Sequence, residues 1–317
     1  MRKTISIITP VFNEEKNVHH YYQRISNVIK KMDSYNFEII FTDNCSVDRT
    51  FELISELAEN DSKIRAFKFS RNFGYQRSIF TGYVKSTGDC VIEFDCDLQD
   101  PPELLPAFVT AWENGNQIVY GQRVKRPEGF LITKMRGIYY RVLAKLSEND
   151  LPIDAGDFML LDRKVVDHLT DIHDQNIYIR GEVFSFGFKR QAIPYERDER
   201  LFGDSKFPLK KLFSLAIDGF VSQSTLPLKL ASYFGISIAV LTSILIIIYL
   251  GLRFAGVGVE AGFTTTTVLI LLSISVNSIF LGIIGEYLSR LYSNTNNKPF
   301  VIIDKSIDEP SLAEKQR

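Results

Sequence analysis

The sequence has few cysteines, and their spacing gives them no structural role. Cys45, Cys90 and Cys96 are the only cysteines in 317 residues, and no CxxC pair occurs. An odd number without paired spacing argues against a disulfide framework and against a zinc knuckle, and free thiols suit a reducing compartment. The apolar run in MRKTISIITP is too short for a secretory signal, so we expect the chain to start in the cytoplasm.

A charge excess of one sign is also absent. The formal net charge is −1, whereas a general nucleic-acid binder carries a strong basic excess, so nucleic acid is not an expected partner. Phosphate-binding glycine loops are missing too, because no GxGxxG follows a predicted strand and no GxxxxGK(S/T) occurs. The sequence therefore lacks the phosphate cradles of dinucleotide-binding proteins and of P-loop proteins.

The C-terminal third contains two long stretches without any charge. No charged residue lies between Lys229 and Arg253, or between Glu260 and Glu286. A helix that crosses a membrane needs roughly 20 mostly apolar residues, so the sequence predicts two transmembrane helices at about 230–252 and 263–285. The connector between them is short, which makes them a hairpin with both flanks on one side of the membrane.

Basic residues lie on both flanks of this hairpin, so the positive-inside rule predicts that both termini are cytoplasmic. The flanking cations are Lys206, Lys210, Lys211, Lys229, Arg290 and Lys298. We expect a multi-pass protein of the inner (cytoplasmic) membrane, with a cytoplasmic domain over 1–225, a membrane region over 226–292 and a cytoplasmic tail over 293–317. In that tail, PFVIID at 299–304 predicts a short edge strand or a subunit contact, and the latter would make a homo-oligomer.

Short apolar runs typical of strands alternate with helical patterns along the N-terminal part of the chain. The predicted strands are 5–9, 37–42, 64–70, 90–95 and 117–121. Such alternation predicts an α/β fold with a mainly parallel sheet and right-handed crossovers. Ligands of these sheets bind beyond the carboxyl ends of the strands. Polar clusters follow four of the strands, namely PVFNEE, TDNCSVD, SRNFG and DCDLQD, so we expect them to form one crevice.

The stretch EFDCDLQDPPE, at 93–103, is crowded with carboxylates. Asp100 stands directly before its two prolines, an order that predicts a helix start with Asp100 as the capping residue. Asp95 and Asp97 follow a predicted buried strand, where uncompensated charge is unfavourable. Carboxylates suit Mg²⁺, which takes one or two of them and completes its shell with water and substrate phosphates. A hydrated surface turn is the alternative interpretation.

These motifs carry a resemblance to a known family. SIITPVFNEEKNV, TDNCSVDRT, SRNFGYQRSIFTGY, EFDCDLQDPPE, DAGDFMLLDRKVVDHL and IPYERDERLFGDSKFPLKKL resemble, in this order, the family 2 glycosyltransferases, which have a GT-A fold. Within that family the chain is similar to the polyisoprenyl-phosphate glycosyltransferases of the GtrB and dolichol-phosphate mannose synthase type. The resemblance implies inverting transfer of a sugar from a nucleotide donor to a membrane polyprenyl phosphate, with about 122–225 as the acceptor and interface region.

The resemblance also implies roles for the residues at the strand ends. The expected ligands of Mg²⁺ or Mn²⁺ are Asp95, Asp97 and Gln99. The expected nucleotide-sugar contacts are Pro10, Glu14, Asp43, Arg71, Asp95 and Asp97. One departure from the family pattern is clear, because the usual DDGS reads Asp43-Asn44-Cys45-Ser46 here. The contacts to the base and the ribose therefore stay open.

Asp157, in DAGDF, is the residue expected to orient the acceptor or to act as a base. Asp154 is its rival, and a structural carboxylate is the alternative interpretation. Asp97 and Arg200 complete the expected catalytic set. The residues expected to receive the lipid phosphate, shortly before the first predicted span, are Arg197, Arg200, Ser205 and Lys206. The alternative for these four is a juxtamembrane basic stretch without a particular ligand.

The expected substrates are UDP-glucose and undecaprenyl phosphate, with GDP-mannose or another UDP-sugar as the alternative donor. A processive polysaccharide synthase is disfavoured because the single tryptophan, Trp112, does not lie in a QxxRW motif. A non-catalytic membrane scaffold with the same fold is also disfavoured, since it would not need Asp95, Asp97, Asp157, Arg200 and Lys206 all intact. The expected product is a lipid-phosphate sugar for cell-envelope glycan modification.

Overall fold

The structure is a computed structural model, and the residues it describes are 2–124, 152, 155–175, 177–198, short pieces between 233 and 248, 263–295 and 299–308. The chain divides into two compact units. The larger unit contains the sheet, its covering helices and the C-terminal strand, and the smaller unit contains the long apolar helix that precedes this strand. The expected domain boundary at 225 and most of 122–225 lie outside the described residues.

Strands and helices alternate through the first part of the chain, as the hydrophobic pattern predicts. They are β1 (Thr4–Val11), α1 (Val18–Ile29), β2 (Asn36–Asp43), α2 (Thr50–Asn60), β3 (Ile64–Phe69), α3 (Tyr75–Lys85), β4 (Cys90–Glu93), α4 (Leu105–Glu113) and β5 (Ile118–Arg123). The described elements that follow are β6 (Ala155–Asp162), α5 (Arg163–Thr170), α6 (Ile179–Ser185), β7 (Arg190–Tyr195), α7 (Phe263–Thr295) and β8 (Ile303–Ile307). Each of the five predicted N-terminal strands is present, with bounds that differ by a few residues.

The eight strands form one sheet in the order β7-β5-β6-β4-β1-β2-β3-β8. The four central strands, β4, β1, β2 and β3, are parallel neighbours, which confirms the predicted parallel centre. β6 lies antiparallel between β4 and β5, and β7 is parallel to β5. β8 is antiparallel to β3 at the opposite edge. The sheet is therefore mixed, with antiparallel additions on both sides of a parallel centre.

Helices cover both faces of this sheet. In β1, Ile5 and Ile7 belong to the core under α1, α2 and α4, whereas Ile8 belongs to the core under α3, α5 and α6. This division follows from the two-residue period of a strand, which sends successive side chains to opposite faces. Because both faces are buried, the polar residues that follow the strands collect at the carboxyl edge of the sheet.

The C-terminal strand begins later than the sequence predicts. The predicted strand covers 299–304, whereas β8 runs over Ile303–Ile307. Phe300, near the start of the predicted strand, lies outside β8. Its ring packs against Phe80 of α3, with the ring centroids 4.8 Å apart. The prediction of an edge strand in this tail is otherwise correct, since β8 lies at the edge beside β3.

One helix in the described part of the chain is long and apolar enough to cross a membrane, by length and composition only. Its apolar window, Leu272–Ser289 in α7, is not buried. At a rise of about 1.5 Å per residue, α7 exceeds the thickness of a bilayer core. α7 contains the predicted second span at 263–285, whereas most of the predicted first span at 230–252 lies outside the described residues. The hairpin stays a prediction.

Candidate active site

The loops after β1, β2 and β4 each contain a residue with a left-handed backbone. These residues are Asn13 (φ 54°), Cys45 (φ 67°) and Leu98 (φ 59°), the non-glycine residues with positive φ in the described ranges. Such conformations cost of order 1–3 kcal/mol each and collect at functional sites. All three loops lie at the carboxyl edge of the parallel strands, so the backbone strain marks this edge as the candidate site.

Hydrogen bonds between these loops hold the edge together. The Asn13 backbone N–H donates to Ser46 Oγ at 2.9 Å, which links the loops after β1 and β2. The Asn44 side-chain amide donates to Asn72 Oδ1 at 3.1 Å and accepts from the Phe73 N–H at 2.8 Å, which links the loops after β2 and β3. An amide can donate in this way whereas a carboxylate cannot. This link uses both the donor and the acceptor of the Asn44 amide, at the position where the family pattern has a second aspartate.

Four carboxylates at and after the end of β4 form an acidic cluster, which we define as Glu93, Asp95, Asp97 and Asp100. The side chain of Asp95 is 25% exposed, and the other three residues are buried. Burial and the charges of Asp97 and Asp100 raise the pKa of Asp95 to about 7. Burial and the neighbouring carboxylates hold the pKa of Glu93 well above its ordinary value. A bound cation would relieve this concentration of negative charge.

Asp100 is not the helix cap that the sequence predicts. The 3₁₀ turn at Pro102–Leu104 has no side-chain capping hydrogen bond. The Asp100 carboxylate instead accepts hydrogen bonds from Tyr195 Oη and from Arg197 Nε, the latter at 3.2 Å, and Arg123 Nη2 lies 3.7 Å away. These partners come from the ends of β5 and β7, which are adjacent in the sheet but far apart in the sequence. Local sequence order therefore misled the interpretation of Asp100.

Arg197, which the sequence places at the lipid phosphate, faces the acidic cluster. Besides its contact with Asp100, its Nη2 lies 3.7 Å from Asp95 Oδ2. A contact between Arg197 and a lipid phosphate stays a prediction. The other residues predicted for this role, together with the rival of Asp157, lie outside the described residues: Arg200, Ser205, Lys206 and Asp154.

The residues predicted to line the nucleotide pocket lie on the first three parallel strands or just beyond them. Pro10 lies near the end of β1, opposite Thr42 of β2, and Glu14 follows β1 in the next loop. Asp43 is the last residue of β2. Arg71 follows β3 and is exposed, with its guanidinium 4.0 Å from the centre of the Phe73 ring. The fold therefore brings these residues to one edge, and their nucleotide contacts stay predictions.

Asp43 is a buried carboxylate with one oxygen left for a ligand. Its Oδ1 accepts from the Ser46 N–H at 2.9 Å and from Ser46 Oγ at 2.5 Å. Its Oδ2 is buried and has no hydrogen-bond partner among the described residues, and Lys68 Nζ lies 3.9 Å from it. Burial raises the pKa of Asp43 above its ordinary value. A donor on a bound ligand would satisfy the remaining oxygen.

Asp157 lies in β6, which runs antiparallel to β4 with Leu160 opposite Ile92. Continuing this register along both strands brings Asp157 to the acidic cluster. The Gln76 Nε2 donates to Asp157 Oδ2 in a long hydrogen bond of 3.4 Å. Asp157 Oδ1 is buried and accepts no hydrogen bond from the described residues. The sheet thus places the carboxylate predicted for the acceptor beside the carboxylates predicted for the metal.

Asp95 and Asp97 fit a divalent cation that binds together with a phosphate ligand. Asp97 Oδ1 accepts from the Gln99 N–H at 3.1 Å, and the Gln99 side chain lies 3.5 Å from the Asp198 carbonyl oxygen. No group of three or more histidine, cysteine, aspartate or glutamate side chains in the described ranges forms a metal site by itself. Magnesium needs only one or two carboxylates when phosphates complete its shell. The two aspartates and the excess negative charge therefore fit such an ion, and a ligand role for Gln99 stays a prediction.

Sequence reasoning missed Tyr75 and Gln76, which contact the predicted site residues directly. Tyr75 Oη donates to Asp95 Oδ1 at 2.8 Å, and Gln76 contacts Asp157. Both residues lie in the motif SRNFGYQRSIFTGY, immediately after Gly74 and at the start of α3. Their position just beyond the third strand end was the available signal, because that end faces the same crevice.

Comparison with known proteins agrees with this architecture. Residues 6–170 match the family described as Glycosyl transferase family 2. YkcC, an uncharacterized glycosyltransferase of Bacillus subtilis, is 39% identical over 95% of this chain and 93% of its own. A prophage bactoprenol glucosyl transferase homolog of Escherichia coli is 34% identical over 95% of this chain and 98% of its own. The same values apply to the bactoprenol glucosyl transferase of Shigella phage SfII.

Solved structures agree with the fold. Glucosyl-3-phosphoglycerate synthase from Mycobacterium tuberculosis, in complex with phosphoglyceric acid, has a TM-score of 0.51 at 20% identity, over 70% of this chain and 80% of that chain. This likeness shows the GT-A type of fold. The whole-length relatives confirm the resemblance to the polyisoprenyl-phosphate branch of the family. The chain belongs to glycosyl transferase family 2 and is a glycosyltransferase.

Proposed function

We propose that the chain transfers a sugar from a nucleotide donor to a polyprenyl phosphate at the cytoplasmic face of the membrane, with inversion of the anomeric centre. The observation that carries this proposal is the similarity to bactoprenol glucosyl transferases over 95% of the chain, which extends beyond the family match that ends at residue 170. The proposed donor is UDP-glucose and the proposed acceptor is undecaprenyl phosphate. GDP-mannose is the alternative donor.

On the donor side, Asp95 and Asp97 would hold Mg²⁺ or Mn²⁺ against the diphosphate. The structurally similar glucosyl-3-phosphoglycerate synthase has been solved with Mn²⁺ and UDP, at a TM-score of 0.50 and 18% identity. When bound, the ion supplies positive charge opposite the negative charge that develops on the leaving diphosphate. Asp43 Oδ2, which has no hydrogen-bond partner among the described residues, would accept from the nucleotide, and the exposed Arg71 would add a cation.

On the acceptor side, no strong base is needed because a phosphate monoester is largely ionised near neutral pH. Asp157 would orient the acceptor phosphate and accept any remaining proton at Oδ1, the buried oxygen without a described partner. The predicted cations Arg197, Arg200 and Lys206 would balance the charge of the acceptor phosphate. Arg197 already lies at the acidic cluster, so it would contribute at the junction of the two substrates.

The proposed membrane segment would anchor the chain in the bilayer that holds the lipid acceptor. α7 has exposed apolar side chains along its length, among them Leu281 at 69% and Ile279 at 63% exposure. Surfaces of this kind are covered by lipid or by another apolar surface. With the uncharged stretch before Arg253, α7 would form the proposed hairpin and keep both termini in the cytoplasm.

A panel of donors tests the proposal. The purified full chain is incubated with undecaprenyl phosphate, Mg²⁺ and one labelled nucleotide sugar at a time, and the labelled lipid is measured. We expect labelled lipid with UDP-glucose, and none when the polyprenyl phosphate is left out. Labelling only with GDP-mannose would identify GDP-mannose, and not UDP-glucose, as the donor. The absence of a lipid product with every nucleotide sugar would refute the proposed function.

A further inference from the structure

Two consecutive residues at the start of α3 contact two different carboxylates of the candidate site. Tyr75 and Gln76 are the first residues of α3. The side chain of Tyr75 contacts Asp95, which follows β4, and the side chain of Gln76 contacts Asp157 in β6. Because β4 and β6 are neighbouring strands, a single helical turn lies against both carboxylates.

The hydroxyl of Tyr75 holds one oxygen of Asp95. Its Oη donates to Asp95 Oδ1 at 2.8 Å and lies 3.5 Å from Glu93 Oε1. A phenol has one proton to donate, and the shorter distance assigns this proton to Asp95. Arg197 Nη2 lies 3.7 Å from Asp95 Oδ2, the other oxygen. Tyr75 therefore fixes the direction in which the Asp95 carboxylate faces.

The amide of Gln76 has one orientation that suits its partners. The Ile179 backbone N–H donates to Gln76 Oε1 at 3.0 Å, so the oxygen must face α6 and the nitrogen must face away from it. Gln76 Nε2 then faces Asp157 Oδ2 at 3.4 Å. Asp157 Oδ1 is buried and has no partner among the described residues. Gln76 thus contacts one oxygen of Asp157 and leaves the other to accept from a ligand.

The first turn of α3 is itself held by contacts outside the site. Ser78 Oγ donates to the Thr42 carbonyl oxygen in β2 at 3.0 Å. The Arg77 guanidinium donates to the carbonyl oxygens of Gln175 at 2.7 Å and of Phe300 at 2.9 Å. Side chains that position catalytic groups need this kind of independent support. The helix start is therefore fixed before any substrate binds.

We propose that Tyr75 and Gln76 are positioning residues, one for each half of the transfer reaction. Tyr75 orients Asp95 for the divalent cation and the donor diphosphate, and Gln76 orients Asp157 for the acceptor phosphate. This inference rests on the proposed function. It assigns the donor side of the reaction to Tyr75 and the acceptor side to Gln76. One turn of α3 therefore sets the relative orientation of the donor carboxylate and the acceptor carboxylate.

The Tyr75→Phe variant tests the donor half. Mn²⁺ is titrated into the full chain in detergent at a fixed concentration of UDP, and the Mn²⁺ bound to the protein is measured by electron paramagnetic resonance against a titration without protein. We expect the Mn²⁺ affinity to fall about tenfold, the scale on which groups that orient metal ligands act. The matched control is Tyr22→Phe, which removes a hydroxyl that donates to Asp61, on the face of the sheet opposite to α3. The control should bind Mn²⁺ like the unmodified chain.

The Gln76→Glu variant tests the acceptor half. A glutamate keeps an oxygen for the Ile179 N–H but replaces the amide donor that faces Asp157 with a second carboxylate, which repels Asp157 from its position. We expect kcat for lipid transfer to fall by about 10²-fold. The Mn²⁺ affinity should not fall, because the added carboxylate near the acidic cluster attracts a cation. Gln23→Glu, at an exposed position of α1, is the matched control.

Each variant also serves as the control for the other. Equal loss of Mn²⁺ affinity and of kcat in both variants, or no change in either, would overturn the division of roles. Unfolding curves that match the unmodified chain exclude loss of the fold. If the unmodified chain binds Mn²⁺ but makes no lipid product, the proposed function is wrong. The Mn²⁺ titration then still shows whether Tyr75 orients Asp95. If it binds no Mn²⁺, the Tyr75 half is overturned.

Discussion

The carboxylates of the acidic cluster differ in how much positive charge the chain itself gives them. Asp100 accepts from Tyr195 and Arg197 and has Arg123 nearby. Among the described residues, the Asp95 side chain has a phenol within hydrogen-bond distance and the Arg197 guanidinium 3.7 Å away. An acid that is already paired with arginine is a poor metal ligand, because a cation would have to displace the arginine. At the residue scale, this difference favours Asp95 over Asp100 as a ligand of the proposed ion and gives Asp100 a structural pairing.

The Asp97→Asn variant tests this assignment. The substitution keeps the shape of the side chain and an oxygen for the Gln99 N–H but removes the charge that would hold the cation. We expect metal-dependent transfer to fall by about 10²–10³-fold, the loss typical of removing one electrostatic contact to a transition state. The far-ultraviolet circular dichroism and the membrane association should not change. Turnover near that of the unmodified chain would refute the metal role of Asp97.

The raised pKa of Asp95 predicts that cation binding depends on pH. Its folded pKa of about 7 exceeds the ordinary value of 3.8. The stability that this group contributes is therefore fully present below about pH 4 and is lost as the pH rises through about 7. Because a cation needs the ionised carboxylate, Mn²⁺ should raise Tm more at about pH 8 than at about pH 6. The same Mn²⁺-induced rise at both pH values would contradict this prediction, and Asp95→Asn should remove most of the difference.

At the scale of elements, α3 links the core of the sheet to the candidate site. It packs on β1 and β2 through one face, and its first turn contacts carboxylates that follow or belong to β4 and β6. The chain enters this helix through Gly74, which has φ 99° and ψ 161°. That conformation is accessible to glycine and strained for other residues. The backbone geometry at Gly74 therefore sets where α3 begins, and with it the positions of Tyr75 and Gln76.

The Gly74→Ala variant is expected to lower the free energy of unfolding by about 1–3 kcal/mol, the cost of a strained backbone conformation. A Cβ at this position would meet no atom within 4 Å, so the effect comes from the backbone alone. The shifted helix start should also weaken Mn²⁺ binding. Gly115→Ala is the matched control, since Gly115 has φ 84°, equally open surroundings and a place in the turn before β5. The control should lose stability and keep its Mn²⁺ affinity, and equal Mn²⁺ binding by all three proteins would contradict the role of Gly74.

The strands and helices also show which parts of the fold and of the candidate site can be predicted from the sequence. The parallel centre was predictable because each strand is a short apolar run followed by a polar cluster, and these signals are local. The partners of Asp100 were not predictable, since β7 brings Tyr195 and Arg197 to it from about a hundred residues away through pairing with β5. The start of β8 was also missed, because tertiary packing of Phe300 on Phe80 decides which apolar residues join the sheet.

At the scale of the whole molecule, the chain returns to the sheet after α7. β8 pairs with β3, and just beyond it Asp308 accepts from Arg65 Nε at 2.6 Å. The Arg65 guanidinium also contacts Glu38 Oε2 at 2.7 Å and is only 19% exposed. The C-terminal tail thus supplies one of the two carboxylates that neutralise a largely buried cation. α7 is therefore followed by a segment that contributes to the stability of the larger unit.

The Asp308→Asn variant tests this contribution. Loss of the charge leaves Arg65 with Glu38 as its remaining charged partner among the described residues, and we expect the free energy of unfolding to fall by about 1–2 kcal/mol, as for a hydrogen bond to a charged group. Asp304→Asn is the matched control, because Asp304 lies in β8 and is exposed. Thermal unfolding of the full chain in detergent measures both variants. Equal Tm values for the two would show that the Arg65–Asp308 pair adds nothing to the attachment of β8, whereas a lower Tm for Asp308→Asn assigns part of the attachment to this pair.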